Sequence, residues 1–113
     1  LVLIARALTQ MPRILLLDEP TSHLDLGNQM KILRTIARLS EQGLTILMAT
    51  HFPDHAFLLS GRVGVMMRQG LTRIGKAETV ITEDSMKEAY DARVSIMTIP
   101  GNDGRKICVP LLS

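Results

Sequence analysis

The sequence predicts an α/β fold with a mostly parallel sheet and a small α+β tail at its C-terminal end. Three observations carry that expectation. Ile14-Leu15-Leu16-Leu17 and Leu44 to Ala49 are short, continuous apolar runs of the kind that marks strands buried on both faces in parallel sheets. An amphipathic helical pattern lies between them, which makes a strand, helix, strand unit long enough for a parallel crossover. Beyond about residue 70 the pattern shifts to short segments around glycine-rich turns, closing on a hairpin.

Taken in order, Leu1 to Leu8 reads as the tail of a helix, which Met11-Pro12 breaks because proline cannot donate the next backbone hydrogen bond. The first strand follows. Asp25 is placed to cap a helix over Leu26 to Gln42, with Met30, Leu33, Ile36, Ala37 and Leu39 inward and Lys31, Arg34, Arg38 and Glu41 outward. Gly43 sits where a left-handed C-cap is wanted, and Leu44 to Ala49 is the second strand. A short helix over Asp54 to Leu59 and a third strand at Val63 to Met67 come next. Gly70 and Gly75 read as turns around a short strand. Thr82 caps a helix reaching about Tyr90, with Glu83 and Asp84 in its first turn. Val94 to Ile99 and Lys106 to Val109 form a hairpin around Pro100-Gly101-Asn102-Asp103-Gly104.

Composition narrows the function classes. The chain has 113 residues and a formal net charge of +2, and its basic residues are scattered, so there is no broad footprint for nucleic acid. The single cysteine, Cys108, cannot form an internal disulfide and reads as a small apolar residue in a reducing compartment. No apolar run approaches the roughly 20 residues that span a bilayer. The chain opens within an apolar helical pattern, with no methionine and no charged lead-in, as expected of a piece of a longer protein.

The chemistry concentrates at Ile14-Leu15-Leu16-Leu17-Asp18-Glu19-Pro20. Four apolar residues deliver two adjacent carboxylates to the C-terminal end of a parallel strand, the edge where open α/β sheets bind ligands. Neighbouring residues at a strand end point differently, so one acid can hold Mg²⁺ through its water shell while the other orients and deprotonates a water. Such a pair could equally begin a solvated loop. The continuation Pro20-Thr21-Ser22-His23-Leu24-Asp25, and Ala49-Thr50-His51 at the end of the second strand, decide between the two.

LLLDEPTSHLD followed by ATH closely resembles the nucleotide-binding domain of ABC transporters, where the first segment is the Walker B strand and D-loop and the second carries the switch histidine. The opening LVLIARAL looks like the helix after that family's signature motif. The resemblance implies a partial P-loop NTPase (RecA-like) core. The whole chain, 1–113, would be the C-terminal part of one ATPase domain, with Walker B, D-loop and switch-histidine region at 14–51 and a C-terminal tail from about 70 to 113. It gives Asp18 the Mg²⁺ and water role, Glu19 the general-base role, and His51 a contact to the γ-phosphate of ATP. Ser22 and Asp25 fall in the D-loop, which in this family touches the opposing subunit across the ATP sandwich. His23 and His55 receive no role. The implied partners are a second ABC ATPase subunit, integral-membrane permease subunits and, indirectly, a solute-binding protein, with no nucleic acid. The implied location is the cytoplasmic face of the plasma (inner) membrane.

Gly70 to Ala77 matches G-x-x-x-x-G-K but carries Ala77 where a phosphate-binding loop needs a serine or threonine hydroxyl for Mg²⁺. It is rejected as a nucleotide site. No other phosphate-binding loop, Q-loop or signature motif is present, so the chain alone is expected not to turn ATP over. The family's phosphate-loop strand would lie between the second and third strands, so a gap or a shifted pairing is expected at the third.

The segment His51-Phe52-Pro53-Asp54-His55-Ala56 and the later Gly75, Glu78-Thr79-Val80-Ile81-Thr82, Tyr90, Val94 and Val109-Pro110 are similar to importer subunits for iron chelates, haem and cobalamin. Molybdate or tungstate importers are close neighbours. A soluble ABC ATPase acting on ribosomes or DNA, and an interaction module without catalysis of its own, are the other readings.

Overall fold

The computed structural model describes residues 2–59, 61–70, 72–101 and 103–112. Leu1 of the first helix, Leu71 of the strand after Gly70, and Asn102 of the hairpin turn lie outside the described residues. The chain divides into two units, Leu1–His51 and Phe52–Ser113.

In the first unit, α1 (Val2–Leu8) ends before Pro12, as proline demands. Its last turn closes with Thr9 and Met11 N–H donating to Ala5 and Leu8 carbonyls at 3.2 and 3.0 Å. β1 (Ile14–Asp18) leads through α2 (Leu26–Glu41) to β2 (Thr45–Ala49). The two strands pair in parallel with Ile14 opposite Thr45 and Asp18 opposite Ala49.

Both ends of α2 are capped by side chain or backbone. At the start, Asp25 Oδ1 accepts from Asn28 N–H at 2.8 Å, which satisfies one of the free donors of the first turn. At the end, Gly43 takes φ 98°. Gly43 N–H donates to Ser40 O at 3.0 Å and Leu44 N–H to Leu39 O at 3.2 Å, the two bonds of a Schellman motif. Gly43 is therefore required for its left-handed backbone, which a Cβ would oppose. Ile32, Leu33 and Ile36 form the buried stripe of the helix, and Ile32 is a member that the periodicity did not single out.

The strands of this unit differ from expectation in one respect. β1 is buried on one face only: Leu15 is 4% exposed, whereas Leu16 is 70% exposed. Ile14 and Leu47 are likewise exposed. Among the described residues the parallel sheet of the unit has two strands, and the residues on its second face are exposed.

The second unit contains α3 (Pro53–Leu59), β3 (Arg62–Met66), β4 (Thr72–Lys76), α4 (Ala77–Val80), α5 (Glu83–Tyr90), β5 (Val94–Thr98) and β6 (Lys106–Pro110). Helix α3 starts at Pro53, the first-turn position where a missing N–H costs nothing. β3 runs antiparallel to β4, the next strand in sequence, with Arg62 opposite Lys76 and Met66 opposite Thr72. β5 and β6 form an antiparallel hairpin. Parallel pairing is thus confined to β1 and β2, because connections as short as those after β3 and β5 can only join antiparallel neighbours.

Two local expectations need correction here. Gly75 is not a turn: β4 continues through it, paired with Val63, to Lys76. A Cβ at Gly75 would lie 3.2 Å from Val80 Cγ1, so the glycine allows α4 to fold back closely on the strand. Helix α4 itself was not anticipated, since four residues carry no helical period.

The core of this unit is Phe57, Val65, Met67, Ala77, Val80, Ile81 and Met86, with Val63, Ile96 and Cys108 packed at its margin. Burial pushes the Cys108 thiol pKa up, and the Asp54 carboxylate adds to the effect, so the thiol stays neutral. Helix α5 opens on a full capping box: Ser85 N–H donates to Thr82 Oγ1 at 3.0 Å and Thr82 N–H to Ser85 Oγ at 2.9 Å. Ser85 Oγ donates in turn to Val80 O at 2.6 Å, joining the box to the end of α4. Two carboxylates tie helices to strands: Asp54 Oδ1 accepts from Cys108 N–H at 2.8 Å, and Glu83 Oε2 from Ile96 N–H at 3.1 Å.

Removal of the cap by Thr82→Ala is expected to cost about 1 kcal/mol, read as a lower urea midpoint at unchanged slope. A second expectation concerns His55, which is buried beside Phe52 with ring centroids 4.8 Å apart. Burial lowers its pKa below the ordinary 6.5, with the Asp54 carboxylate opposing. The folded unit therefore favours neutral imidazole. That contribution is complete above 6.5 and drains away as pH falls towards the lowered value, because the unfolded chain then binds the proton more readily. Denaturation midpoints compared at pH 7.5 and 5.5 should show a loss at the lower pH that His55→Phe diminishes.

Candidate functional site

β1 and β2 end level, Asp18 opposite Ala49. The ladder then takes one more step, because Glu19 N–H donates to Ala49 O at 2.8 Å. That bond holds Glu19 one residue past the strand and His51 two residues past its partner strand. Parallel strands deliver their C-terminal residues to the same edge, so both side chains emerge there. His51 Nε2 and Glu19 Oε1 are in direct contact, with the histidine side chain 74% and the glutamate side chain 38% exposed. Asp18 is exposed at the strand end beside them.

Glu19 is held in an unusual backbone conformation. Its φ is 48° and that of His23 is 64°, both in the left-handed region. For residues with a Cβ this costs on the order of 1 kcal/mol each and persists only where surrounding structure imposes it. The chain turns twice between them and α2. Ser22 N–H donates to Glu19 O at 3.1 Å, closing a first turn over Pro20 and Thr21, and Leu24 N–H donates to Thr21 O at 3.3 Å, closing a second. Proline at the first inner position of such a turn has its φ preset. The left-handed Glu19 directs the chain away from the ladder immediately after its carboxylate has reached the edge.

The D-loop candidates occupy this double turn and its exit. Ser22 is exposed. Asp25 is exposed as well, and one of its carboxylate oxygens is engaged in capping α2. Glu19, His51 and Asp18 are thus brought to one edge, with Ser22 lying one turn further along the loop and Asp25 at the mouth of α2. Thr21 was not singled out from sequence, where it is one polar residue among several in a loop; it is 1% exposed. No pair of spaced polar letters signals such burial.

From Thr72 to Lys76 the G-x-x-x-x-G-K match is a strand, not a loop. Gly75 and Lys76 are extended and paired with Val63 and Arg62, and the buried Ala77 opens α4. Its backbone N–H groups cannot converge on a phosphate in that conformation. Among the described residues no cluster of three or more histidine, cysteine, aspartate or glutamate side chains could hold a metal by itself. Nor is any helix among them long and apolar enough to cross a membrane.

Chemically, a carboxylate at this edge can accept a proton from water, an imidazole next to it can orient or donate, and an exposed second carboxylate can ligate a hard cation.

Comparison with known proteins identifies the family. The family model described as "AAA domain, putative AbiEii toxin, Type IV TA system" matches residues 1–53, the stretch that holds the whole edge. The chain is 38% identical over 109 residues to the iron(3+)-hydroxamate import ATP-binding protein FhuC of Bacillus subtilis, covering 96% of this chain and 40% of that protein. It is 36% identical over 88 residues to the molybdate/tungstate import ATP-binding protein WtpC of Pyrococcus horikoshii, covering 77% of this chain and 26% of that protein. A solved metal-chelate type ABC transporter in an inward-facing conformation superposes with a TM-score of 0.90 at 26% identity, over 99% of this chain and 45% of that one. This chain therefore spans less than half the length of each of these relatives. With its parallel strand pair, its level carboxylate and histidine, and relatives of this kind, the chain belongs to the ABC transporter ATP-binding proteins.

Proposed function

We propose that this chain is the hydrolytic part of the ATP-binding subunit of an ABC importer, with Glu19 as general base and His51 as its partner at the γ-phosphate. The observation that carries this is the direct contact of Glu19 with His51 at the shared C-terminal edge of β1 and β2.

Each side chain has a task that its position suits. The Glu19 carboxylate is partly shielded, and it can take the proton of an attacking water as the water's oxygen bonds to the γ-phosphorus and that phosphorus parts from the β–γ bridging oxygen, which leaves with ADP. His51, far more open, can turn from Glu19 towards a phosphate oxygen without leaving the edge. Asp18 is a single exposed carboxylate, which suits Mg²⁺: that ion keeps several waters and takes one or two carboxylates together with substrate phosphates. Bound there through water, Mg²⁺ would neutralise charge building on the phosphates.

The phosphate cradle is a different matter. Phosphoryl transfer depends on backbone N–H donors and a lysine around the β- and γ-phosphates, and the one sequence match in this chain is a β-strand. We place the cradle in the remainder of the subunit, so that this chain alone neither grips nor hydrolyses ATP. Ser22, exposed within the double turn, and Asp25, exposed at its exit, would face a second ATPase subunit. Permease subunits, with a solute-binding protein behind them, are the partners for coupling, at the cytoplasmic face of the membrane.

For the cargo, we favour an iron chelate, haem or cobalamin. The support is the importer-like segment from His51 to Ala56 and the layout of the tail, together with the relatives named for hydroxamate and metal-chelate transport. Molybdate or tungstate is the competing cargo.

In the full-length gene product, Glu19→Gln should lower the ATP hydrolysis rate by about 10²- to 10⁴-fold while leaving nucleotide binding in place. Hydrolysis at the wild-type rate in that variant removes the general-base assignment. Asp25→Ala should cost about 1 kcal/mol of stability through the lost cap and, independently, weaken ATP-dependent dimerisation measured by light scattering. Uptake of labelled iron hydroxamate against molybdate, by vesicles carrying the assembled transporter, separates the two cargo classes; accumulation of molybdate alone would sink the iron-chelate assignment.

A further inference from the structure

We propose that Thr21 is a positioning residue of the hydrolytic edge: its buried side chain anchors the double turn that holds Glu19 against His51 on one side and presents Ser22 and Asp25 on the other. The inference rests on the assignment of Glu19 as general base.

Four observations converge on Thr21. It is polar and lies in a surface loop, yet at 1% exposure it is the most buried of the described residues of the first unit, below Leu33 at 2% and Leu15 at 4%. Its neighbours Ser22 and His23 are exposed, so burial belongs to this one side chain and not to the loop. The two turns of the loop meet at it: Thr21 is an inner residue of the turn closed by Ser22 N–H on Glu19 O, and its own carbonyl closes the next turn by accepting from Leu24 N–H. It also stands between the left-handed residues Glu19 and His23, whose conformations must be imposed from outside.

On the ladder side Glu19 is fixed by one bond, from its N–H to Ala49 O. On the loop side the turn closed by Ser22 N–H on Glu19 O holds it, and Thr21 lies buried inside that turn. No buried side-chain nitrogen or oxygen among the described residues lacks a hydrogen-bond partner. A hydroxyl buried with its bond made is directional, and it resists rotation of the loop in a way that apolar packing does not. The same pin serves both ends of the loop. A shift of Ser22 and Asp25, where a second subunit would press, must pass through Thr21 to reach Glu19.

The test measures ATP hydrolysis by the full-length gene product carrying Thr21→Val, Thr21→Ser or Glu19→Gln. Valine keeps the volume and removes the hydroxyl; serine keeps the hydroxyl. Thr21→Val should lower kcat by about 10- to 100-fold, the scale set by a slight misplacement of a reacting group. KM for ATP should stay within about twofold, because the nucleotide grip lies elsewhere. Thr21→Ser should recover most of kcat. Wild-type kcat in Thr21→Val overturns the proposal. So does a loss of kcat that follows a collapse of the thermal midpoint and is not recovered by serine, since packing alone would explain it. An inactive Glu19→Gln beside an unimpaired Thr21→Val removes the role of Thr21 and leaves that of Glu19. An active Glu19→Gln removes both.

Discussion

The parallel register of β1 and β2 is the constraint on which the site depends. Asp18 faces Ala49, and one further backbone bond, from Glu19 N–H to Ala49 O, extends the pairing past the strand ends. A slip of one residue would move every side chain of a strand to the opposite face and carry Glu19 away from His51. The register is guarded by the hydrophobic alternation of β1, with Leu15 in and Leu16 out, and by the two caps that set where α2 starts and stops. Asp25 and Gly43 therefore serve the site from a distance: they fix the length of the crossover, which fixes the register, which sets the carboxylate beside the imidazole.

The local cost is paid in backbone strain. Left-handed conformations at Glu19 and His23 are unfavourable for residues with side chains, and glycine at either place would relieve them. A glycine at the first would also remove the carboxylate. The sequence keeps a carboxylate there and has Pro20, with its preset φ, and the buried Thr21 directly after it. Strain coinciding with the most chemically loaded residue of the chain is the pattern found where a group must be held in a position it would not choose.

The second unit is organised by a different economy. Its strands are short and antiparallel, its core small, and several of its junctions are polar: the Thr82–Ser85 box, Asp54 to Cys108 N–H, and Glu83 to Ile96 N–H. Such bonds satisfy backbone groups that short elements leave unpaired at their ends. β3 illustrates how pairing follows opportunity. It is joined to β4 by a short turn at Gly70, with Gly70 N–H donating to Met67 O at 3.0 Å, and the antiparallel partner next in sequence is the one it takes.

Much of this was legible in the residue order. Asp25 as N-cap, Gly43 as left-handed C-cap and Thr82 as the opening of α5 follow from side-chain chemistry that acts within a few residues. So does the strand, helix, strand unit, and with it the arrival of Asp18, Glu19 and His51 at one kind of edge; the roles proposed for them come from the family resemblance in LLLDEPTSHLD and ATH. The tertiary structure alone decided what depends on neighbours distant in sequence. Leu16 and Leu47 read as core because an apolar letter carries no record of whether its face of the sheet is covered, and both are exposed. Gly75 read as a turn because glycine permits one, whereas the close approach of Val80 is what uses it. Thr21 read as one polar loop residue among several, and only the fold, by closing two turns around it, put its side chain inside.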